Sequence, residues 1–315
     1  MIDESGLPPN VSATAVTVGT FDGLHRGHRD VLSRLAARAR ALGIPSVLVT
    51  FDPHPLEVLR PDSPPQLLSV WPEKLELLAQ TEIDYVAVLP FTRALSRFSP
   101  DEFVDRVLLG RFRMRDLLMG YDHGFGRNRS GDAMVMQALG AARGFAVEVV
   151  APVASGDGEP ISSSTIRRAI VDGRLDRAAE ALGRLYSVAG RVVRGESRGR
   201  LLGFPTLNIE PPDPRKLLPQ EGVYAVRVET PRGVFGGMMN LGPRPTFGDT
   251  RLSLEAHLFD AAGDWYGAMV RIDFVARLRD TQRFPSVDGL VAQLRRDADA
   301  ARTALDAHAR AAAAR

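Results

Sequence analysis

The 315-residue chain contains no cysteine. That absence removes disulfides, thiolate metal ligands and a cysteine nucleophile together, and it suits a reducing cytoplasm. Lysine is almost missing as well: it occurs only at Lys74 and Lys216, so nearly all the positive charge is arginine. Arginine suits phosphate recognition, although a GC-rich genome also writes it on surfaces at no structural cost. No apolar run approaches the roughly 20 residues that a membrane helix requires. Residues 1–10 lack the basic stretch and apolar run of a signal peptide. The formal net charge is only +2, and acids accompany the bases along the chain, which argues against a one-sided basic face for nucleic acid. The P-loop consensus is absent, which disfavours a Walker-type ATPase. There is no internal repeat and no long low-complexity linker. These absences leave a cytoplasmic enzyme without a nucleic-acid or membrane partner, and no motif sets an oligomeric state.

What is present reads as two domains. The composition, 44% hydrophobic and 25% charged, is that of a globular protein, and the length exceeds one ordinary core. In the first half, short β-branched runs at 15–18, 47–50, 85–89, 117–119 and 147–150 alternate with helical patterns at 31–42, 74–80, 100–109 and 131–143. That rhythm predicts a parallel sheet with helices on both faces and ligands at the carboxyl ends of the strands. A helix is expected over 167–181. From Tyr186 onward, strands at 187–193, 207–209, 223–229, 234–241, 252–259 and 268–276 follow one another without an intervening helix. They predict an antiparallel barrel, closed by a helix over 287–314. The expected boundary divides 1–183 from 184–315.

The first strand runs into Gly19-Thr20-Phe21-Asp22-Gly23-Leu24-His25-Arg26-Gly27-His28. A strand, a glycine turn and a helix start make an anion site, because the helix end is positive and glycines let phosphates approach the backbone. Two imidazoles flanking Gly27 can hydrogen-bond the bridging oxygen as charge develops during attack at an α-phosphate. The plainer alternative has one histidine capping the helix and the other exposed. Thr50-Phe51-Asp52-Pro53-His54-Pro55 follows the second strand, where the prolines predict a rigid turn presenting His54 or serving structure alone. Gly120-Tyr121-Asp122-His123-Gly124-Phe125-Gly126 follows the strand at 117–119, and its three glycines permit close ligand approach or mark a plain loop. In Ile161-Ser162-Ser163-Ser164-Thr165-Ile166-Arg167, four hydroxyls precede a helix, more than a cap requires. With Arg167 they can cradle the β- and γ-phosphates of ATP.

In the second half, Gly190 to Gly195 and Gly199 to Asn208 are dense in glycine on a β-background. Such a loop can cover phosphates with its amides, or, taken alone, serve a bulge or barrel corner. Thr206 and Asn208 lie two apart and so face the same way on a strand. Their hydroxyl and amide carbonyl are oxygen donors that suit Mg²⁺ shared with ATP phosphates. Gly222-Val223-Tyr224-Ala225, Asn240-Leu241-Gly242-Pro243-Arg244-Pro245-Thr246-Phe247 and Leu254-Glu255-Ala256-His257-Leu258-Phe259 follow in order.

The segment at His25 and His28 resembles the HxGH signature of the nucleotidylyltransferase superfamily. All these motifs, taken in order over nearly the whole chain, resemble the bacterial bifunctional riboflavin kinase/FAD synthetase family. The resemblance implies a Rossmann-like α/β nucleotidyltransferase domain with a parallel sheet, then an antiparallel Greek-key β-barrel and a C-terminal helix. It implies that the first domain adenylylates FMN to FAD with release of pyrophosphate, by direct in-line displacement. The second would phosphorylate riboflavin to FMN, with ATP as co-substrate of both and Mg²⁺ as cofactor. On this resemblance His25 and His28 are catalytic, and Gly19, Phe21, Asp22, Gly23, Ser163, Ser164 and Arg167 bind ATP. His54, Asp122 and Phe125 would contact flavin or nucleotide. Gly195, Gly199, Gly203, Pro205, Thr206 and Asn208 would bind the kinase nucleotide, Thr206 and Asn208 also the metal. Glu255 would be the base that accepts the proton of the riboflavin 5′-hydroxyl.

The chain departs from the family pattern at Tyr121, in place of an acid, at His123, in place of an aromatic, and at Ser164, in place of threonine. A nucleotidyltransferase for another acceptor would lack the barrel, and a class I tRNA synthetase would need an anticodon-binding region. A flavin- or nucleotide-binding regulator that has lost one or both activities is the rival of another class. It would be expected to lose Glu255, Thr206 or the histidines first.

Overall fold

The computed structural model describes residues 7–121, 124–127, 130–195, 198–211, 213–243, 252–261 and 263–314. In the first half the β-branched runs form five strands: β1 (Thr14–Val18), β2 (Ser46–Asp52), β3 (Tyr85–Pro90), β4 (Met114–Gly120) and β5 (Ala146–Val150). They pair in parallel in the order β3-β2-β1-β4-β5. All five residues of β1 are buried. The order reverses between β1 and β4, so their carboxyl ends form the switch point where open α/β sheets bind ligands.

Alternation along the strands divides the packing. Val16, Val18, Leu117 and Met119 face a core that contains Phe103, Val104 and Phe112, whereas Ala15 and Leu118 face Leu35 and Ala39. The last two belong to helix α1 (Arg26–Leu42), which buries Leu32, Leu35, Ala36 and Ala39 at helical spacing and stops at left-handed Gly43. Helices α2 (Pro55–Leu59), α3 (Trp71–Leu78), α4 (Pro100–Phe103) and α5 (Ala133–Arg143) complete the α/β layer. The helix expected over 100–109 is α only in its first turn. It continues as a π-helix, Val104–Leu109, in which Gly110 N donates to Asp105 O five residues back.

The chain divides into two compact units, Met1–Ser163 and Ser164–Arg315. Thus α6 (Ser163–Val171) and α7 (Leu175–Leu182) lie almost wholly in the second unit, ahead of the 183/184 boundary of the sequence reading. The single helix expected over 167–181 is broken. Gly173 takes φ 72, and Arg174 N donates back to Ala169 O at 2.8 Å, which ends α6 in a left-handed cap.

Six strands follow: β6 (Ser187–Val193), β7 (Leu207–Glu210), β8 (Gly222–Thr230), β9 (Gly233–Pro243), β10 (Leu252–Leu258) and β11 (Met269–Arg279). They close an antiparallel barrel in the order β10-β7-β6-β11-β8-β9. β11 returns beside β8, the first of the β8-β9-β10 meander, which is the Greek-key arrangement. A short helix, α8 (Arg198–Leu201), lies between β6 and β7. The interior is filled around Tyr224 and Phe274, whose rings meet edge-on at 5.2 Å.

Helix α9 (Val287–Ala313) covers the outside of β8 and β9, where Ala225 and Met238 pack against Leu294, Ala301 and Leu305. Arg302 pairs with Asp260 at the surface, and a buried carboxylate anchors the helix: the Arg279 guanidinium grips Asp297 at 2.8 and 2.6 Å, and Gln293 donates to the same group at 2.8 Å. Asp297→Ala leaves this partly shielded guanidinium unpaired. Unfolding in urea is expected to show a loss of about 2 kcal/mol, below the cost of breaking a fully buried pair. An unchanged midpoint would make the pair incidental to how α9 docks.

Candidate functional site

The first candidate site lies at the carboxyl end of β1. Gly19 N extends the ladder to Val49 O at 3.0 Å, and the chain then turns through left-handed Phe21, Gly23 and Leu24. Gly23 suits this turn, because it takes φ 78 and a Cβ on it would come within 2.9 Å of Leu68 Cβ. The turn delivers buried His25 as the N-cap of α1, its Nδ1 accepting from His28 N at 3.3 Å. A nitrogen that accepts carries no proton, so Nε2–H of His25 is a donor. The His28 ring stacks on it with centroids 3.6 Å apart and planes 18° apart. One histidine therefore caps the helix, as the plainer reading held, yet both imidazoles stand together at its positive end.

Much of the preceding glycine turn is consumed by its own bracing. Asp22 Oδ2 accepts from Leu68 N at 3.0 Å and Oδ1 from Ser69 N at 2.9 Å, while Gly23 N donates to Ser69 Oγ at 2.9 Å. Phe21 is buried in a core with Leu32 and Leu48. Gly19 N, the Asp22 carboxylate and Gly23 N, which the sequence reading offered to ATP, thus have partners within the protein. The two stacked imidazoles, His25 buried and His28 partly exposed, remain as candidate chemical groups of this segment. Ser163, which begins α6, donates from Oγ to Asp22 O at 3.0 Å. Ser164 and Arg167 follow it on α6.

Lys74 carries no motif. It is 7% exposed, and its Nζ donates to Thr20 O at 2.6 Å. Burial pulls its ammonium below the usual lysine pKa, opposed by the carboxylates of Asp22 and Asp52. The one signal in the sequence is that lysine persists there in a chain otherwise written with arginine. Lys216, the other lysine, is also buried, with Nζ 4.7 Å from the Tyr186 ring centroid.

Two expected contacts are engaged elsewhere. His54 caps α2, its Nδ1 accepting from Leu56 N at 3.1 Å while its own N–H donates to Glu57 at 2.9 Å. Phe125 is 4% exposed and stacks on Phe103 at 6.1 Å, so it supports the glycine loop from the core and presents no open face to a ligand. Tyr121 is half exposed beside Val150. Asp122 and His123 lie outside the described residues.

The second candidate site is on the barrel. Asn208 of β7 lies opposite Glu255 of β10, and Glu255 lies opposite Asn240 of β9. Directly opposed residues share one face of a sheet, about 5 Å apart. Because Leu254, Ala256 and Leu258 are buried inside, the Asn208–Glu255–Asn240 row lies on the outer face. Ser253 Oγ donates to Glu255 Oε1 at 3.0 Å. The glycine loop closes over this row: a Cβ at Gly195 would collide with the Asn208 amide, and one at Gly199 with Phe204 O. Gly203 turns with φ 80.

A cavity of about 700 Å³ lies beside Thr206, lined by Val192, Pro205, Thr206, Leu258, Trp265 and Tyr266 among others, while Asn208, Glu255 and Asn240 are not part of its wall. Its volume is within the range of small-molecule sites. Trp265 is set by Phe235 edge-on at 5.6 Å and by Arg232 at 4.9 Å. The loop carrying Trp265 and Tyr266 has no sequence signature. Residues 244–247 of the segment that begins at Asn240 lie outside the described residues. Among the described residues, no helix is long and apolar enough to cross a membrane.

A family model described as FAD synthetase matches residues 7–165, and one described as riboflavin kinase matches residues 182–305. The chain is 38% identical over 286 residues to the bifunctional riboflavin kinase/FMN adenylyltransferase of Escherichia coli K12, covering 90% of each. It is 38% identical over 297 residues to the protein of that name from Pseudomonas fluorescens, covering 94% of each. Among solved structures it matches one described as a macrolide-efflux protein from Streptococcus pneumoniae, with a TM-score of 0.84 and 31% identity, covering 93% of this chain and 94% of that one. Both matched halves, and relatives that span both, show that the chain belongs to the bifunctional riboflavin kinase/FMN adenylyltransferase family.

Proposed function

We propose that the barrel phosphorylates riboflavin to FMN and that the α/β unit adenylylates FMN to FAD, with ATP serving both reactions and Mg²⁺ accompanying it. The observation that carries the kinase assignment is the register that sets Glu255 beside Asn208, two residues from Thr206 in the wall of a cavity of small-molecule size. Thr206 and Asn208 offer hard oxygen donors of the kind Mg²⁺ prefers. Among the described residues, no group of three or more His, Cys, Asp or Glu gathers as a metal cage. Two neutral oxygens therefore fit an ion that arrives with the nucleotide and keeps waters of its own. When bound, Mg²⁺ supplies charge neutralisation on the β- and γ-phosphates.

Glu255, oriented through Ser253 Oγ, accepts the proton of the riboflavin 5′-hydroxyl as that oxygen attacks the γ-phosphorus. Gly195 and Gly199 let the loop backbone come close to the phosphates. In the α/β unit, His25 Nε2–H and the His28 imidazole hydrogen-bond oxygens of the α-phosphate while the FMN phosphate attacks in line and pyrophosphate leaves. His54 and Asp122 are proposed to face flavin or nucleotide, and the two activities to divide at 183/184.

The test is FMN formation measured while ATP and Mg²⁺ are titrated. Asn208→Ala is expected to lower kcat/KM for ATP by roughly 100-fold, in line with disturbed metal sites, and Thr206→Ala to act likewise. Thr206→Ser retains a hydroxyl and should stay within a few-fold of the parent. Unchanged ATP dependence in both alanine variants would remove these residues from the nucleotide site.

A further inference from the structure

The outer face of β7 and β10 holds a further polar side chain beside these donors. With Asn208 opposite Glu255, one step of alternation along the same face brings His257 next to Thr206. His257 Nδ1 lies 2.8 Å from Pro205 O. A carbonyl only accepts, so Nδ1 carries the proton and donates it. The imidazole sits edge-on to Phe204 at 5.2 Å and to Phe259 at 5.8 Å, which fixes the direction of that donor. Both phenylalanines pack in the cluster under α9. The accepting carbonyl belongs to the peptide that joins Pro205 to Thr206. Pro205 has no N–H with which to secure itself, and left-handed Gly203 precedes it by two residues. The bond from β10 therefore holds a segment with few tethers of its own.

The geometry points to His257 as a positioning residue for riboflavin phosphorylation: its Nδ1–H, donated to Pro205 O, holds the Pro205–Thr206 peptide so that Thr206 meets the metal–nucleotide. This rests on the reading of Thr206 and Asn208 as ligands of that group. The competing role is packing alone, in which the ring merely fills space between Phe204 and Phe259.

Three substitutions in the full-length chain separate the two roles. His257→Phe keeps a ring and removes the donor. His257→Asn places an amide N–H near the position of Nδ1, and His257→Gln places one near Nε2, out of line with Pro205 O. Initial rates of FMN formation are measured against ATP at saturating Mg²⁺, with thermal unfolding to verify the fold. The Phe and Gln variants are expected to raise KM for ATP about tenfold, as the loss of one aimed hydrogen bond implies, with a smaller change in kcat. Asn restores KM to within about twofold, and conversion of supplied FMN to FAD stays at the parent rate in all three.

If the Phe variant does not fold, the Asn and Gln pair alone decides. Equal KM values for those two, whether raised or unchanged, overturn the proposal. Thr206→Ala in the same assay tells which layer has failed. A raised KM there with a parental KM in the Gln variant sinks the role of His257 alone, whereas a parental KM for Thr206→Ala sinks the ligand reading beneath it.

Discussion

Glu255→Gln is expected to lower kcat for FMN formation by roughly 10³-fold, the size of a general-base contribution, while supplied FMN is still converted to FAD at the parent rate. Glutamine has the shape of glutamate and can accept the Ser253 hydroxyl bond through its own carbonyl oxygen. It sits on the outer face between Asn208 and Asn240, so the change leaves no charge unpaired across the strands. Fold and nucleotide binding should therefore survive, and KM for ATP should move little. What is lost is a carboxylate able to take a proton from the riboflavin hydroxyl. A residue that merely decorated the barrel would tolerate this substitution, so a parental rate would remove Glu255 from the chemistry.

His28→Ala should produce the mirror image. FAD formation from FMN is expected to fall by roughly 10² to 10³-fold, the cost of one preorganised donor to a developing anion, with FMN formation intact. His28 is a cleaner probe than His25. The latter caps α1 through Nδ1, so His25→Ala adds a cap loss of about 1 kcal/mol to any catalytic effect. His28 accepts no capping bond, and its ring leans on His25 and on Phe21 at 4.7 Å. Removing it opens space and leaves the turn braced by Asp22 and Ser69. An undiminished rate of FAD synthesis would refute its role at the α-phosphate.

Architecture was legible wherever one local rule dominates. Alternating apolar runs marked the strands of both units, and the glycine turn before His25 marked the carboxyl end of the central strand. Boundaries failed where capping chemistry replaces apolar periodicity. Helix α1 begins at Arg26, ahead of the expected 31, because His25 caps it and the stretch from Arg26 to Asp30 shows no apolar face. The break at Gly173 was hidden because glycine is tolerated within a helical pattern until its φ is known.

The candidate sites were legible as segments and not as contacts. Glu255 is far in sequence from Thr206 and Asn208, and only the pairing of β7 with β10 makes them neighbours. Asp22 and Phe125 have structural partners that the sequence did not show: a carboxylate or a ring in a glycine-rich loop gives no sign that it holds Leu68 and Ser69 or stacks on Phe103. Lys74 and His257 escaped motif reading because each acts on a carbonyl oxygen of another segment, a partner that every residue type provides.

The central claim is that one chain carries two separate chemistries, and the most direct test is complementation between two inactivated forms. Riboflavin, ATP and Mg²⁺ are incubated with Glu255→Gln alone, with His28→Ala alone, and with an equal mixture, and the flavins are resolved by chromatography over time. The account predicts unchanged riboflavin in the first, FMN without FAD in the second, and FMN followed by FAD in the mixture. FAD from either variant alone, or a mixture that stops at FMN while Glu255→Gln still adenylylates supplied FMN, would contradict it.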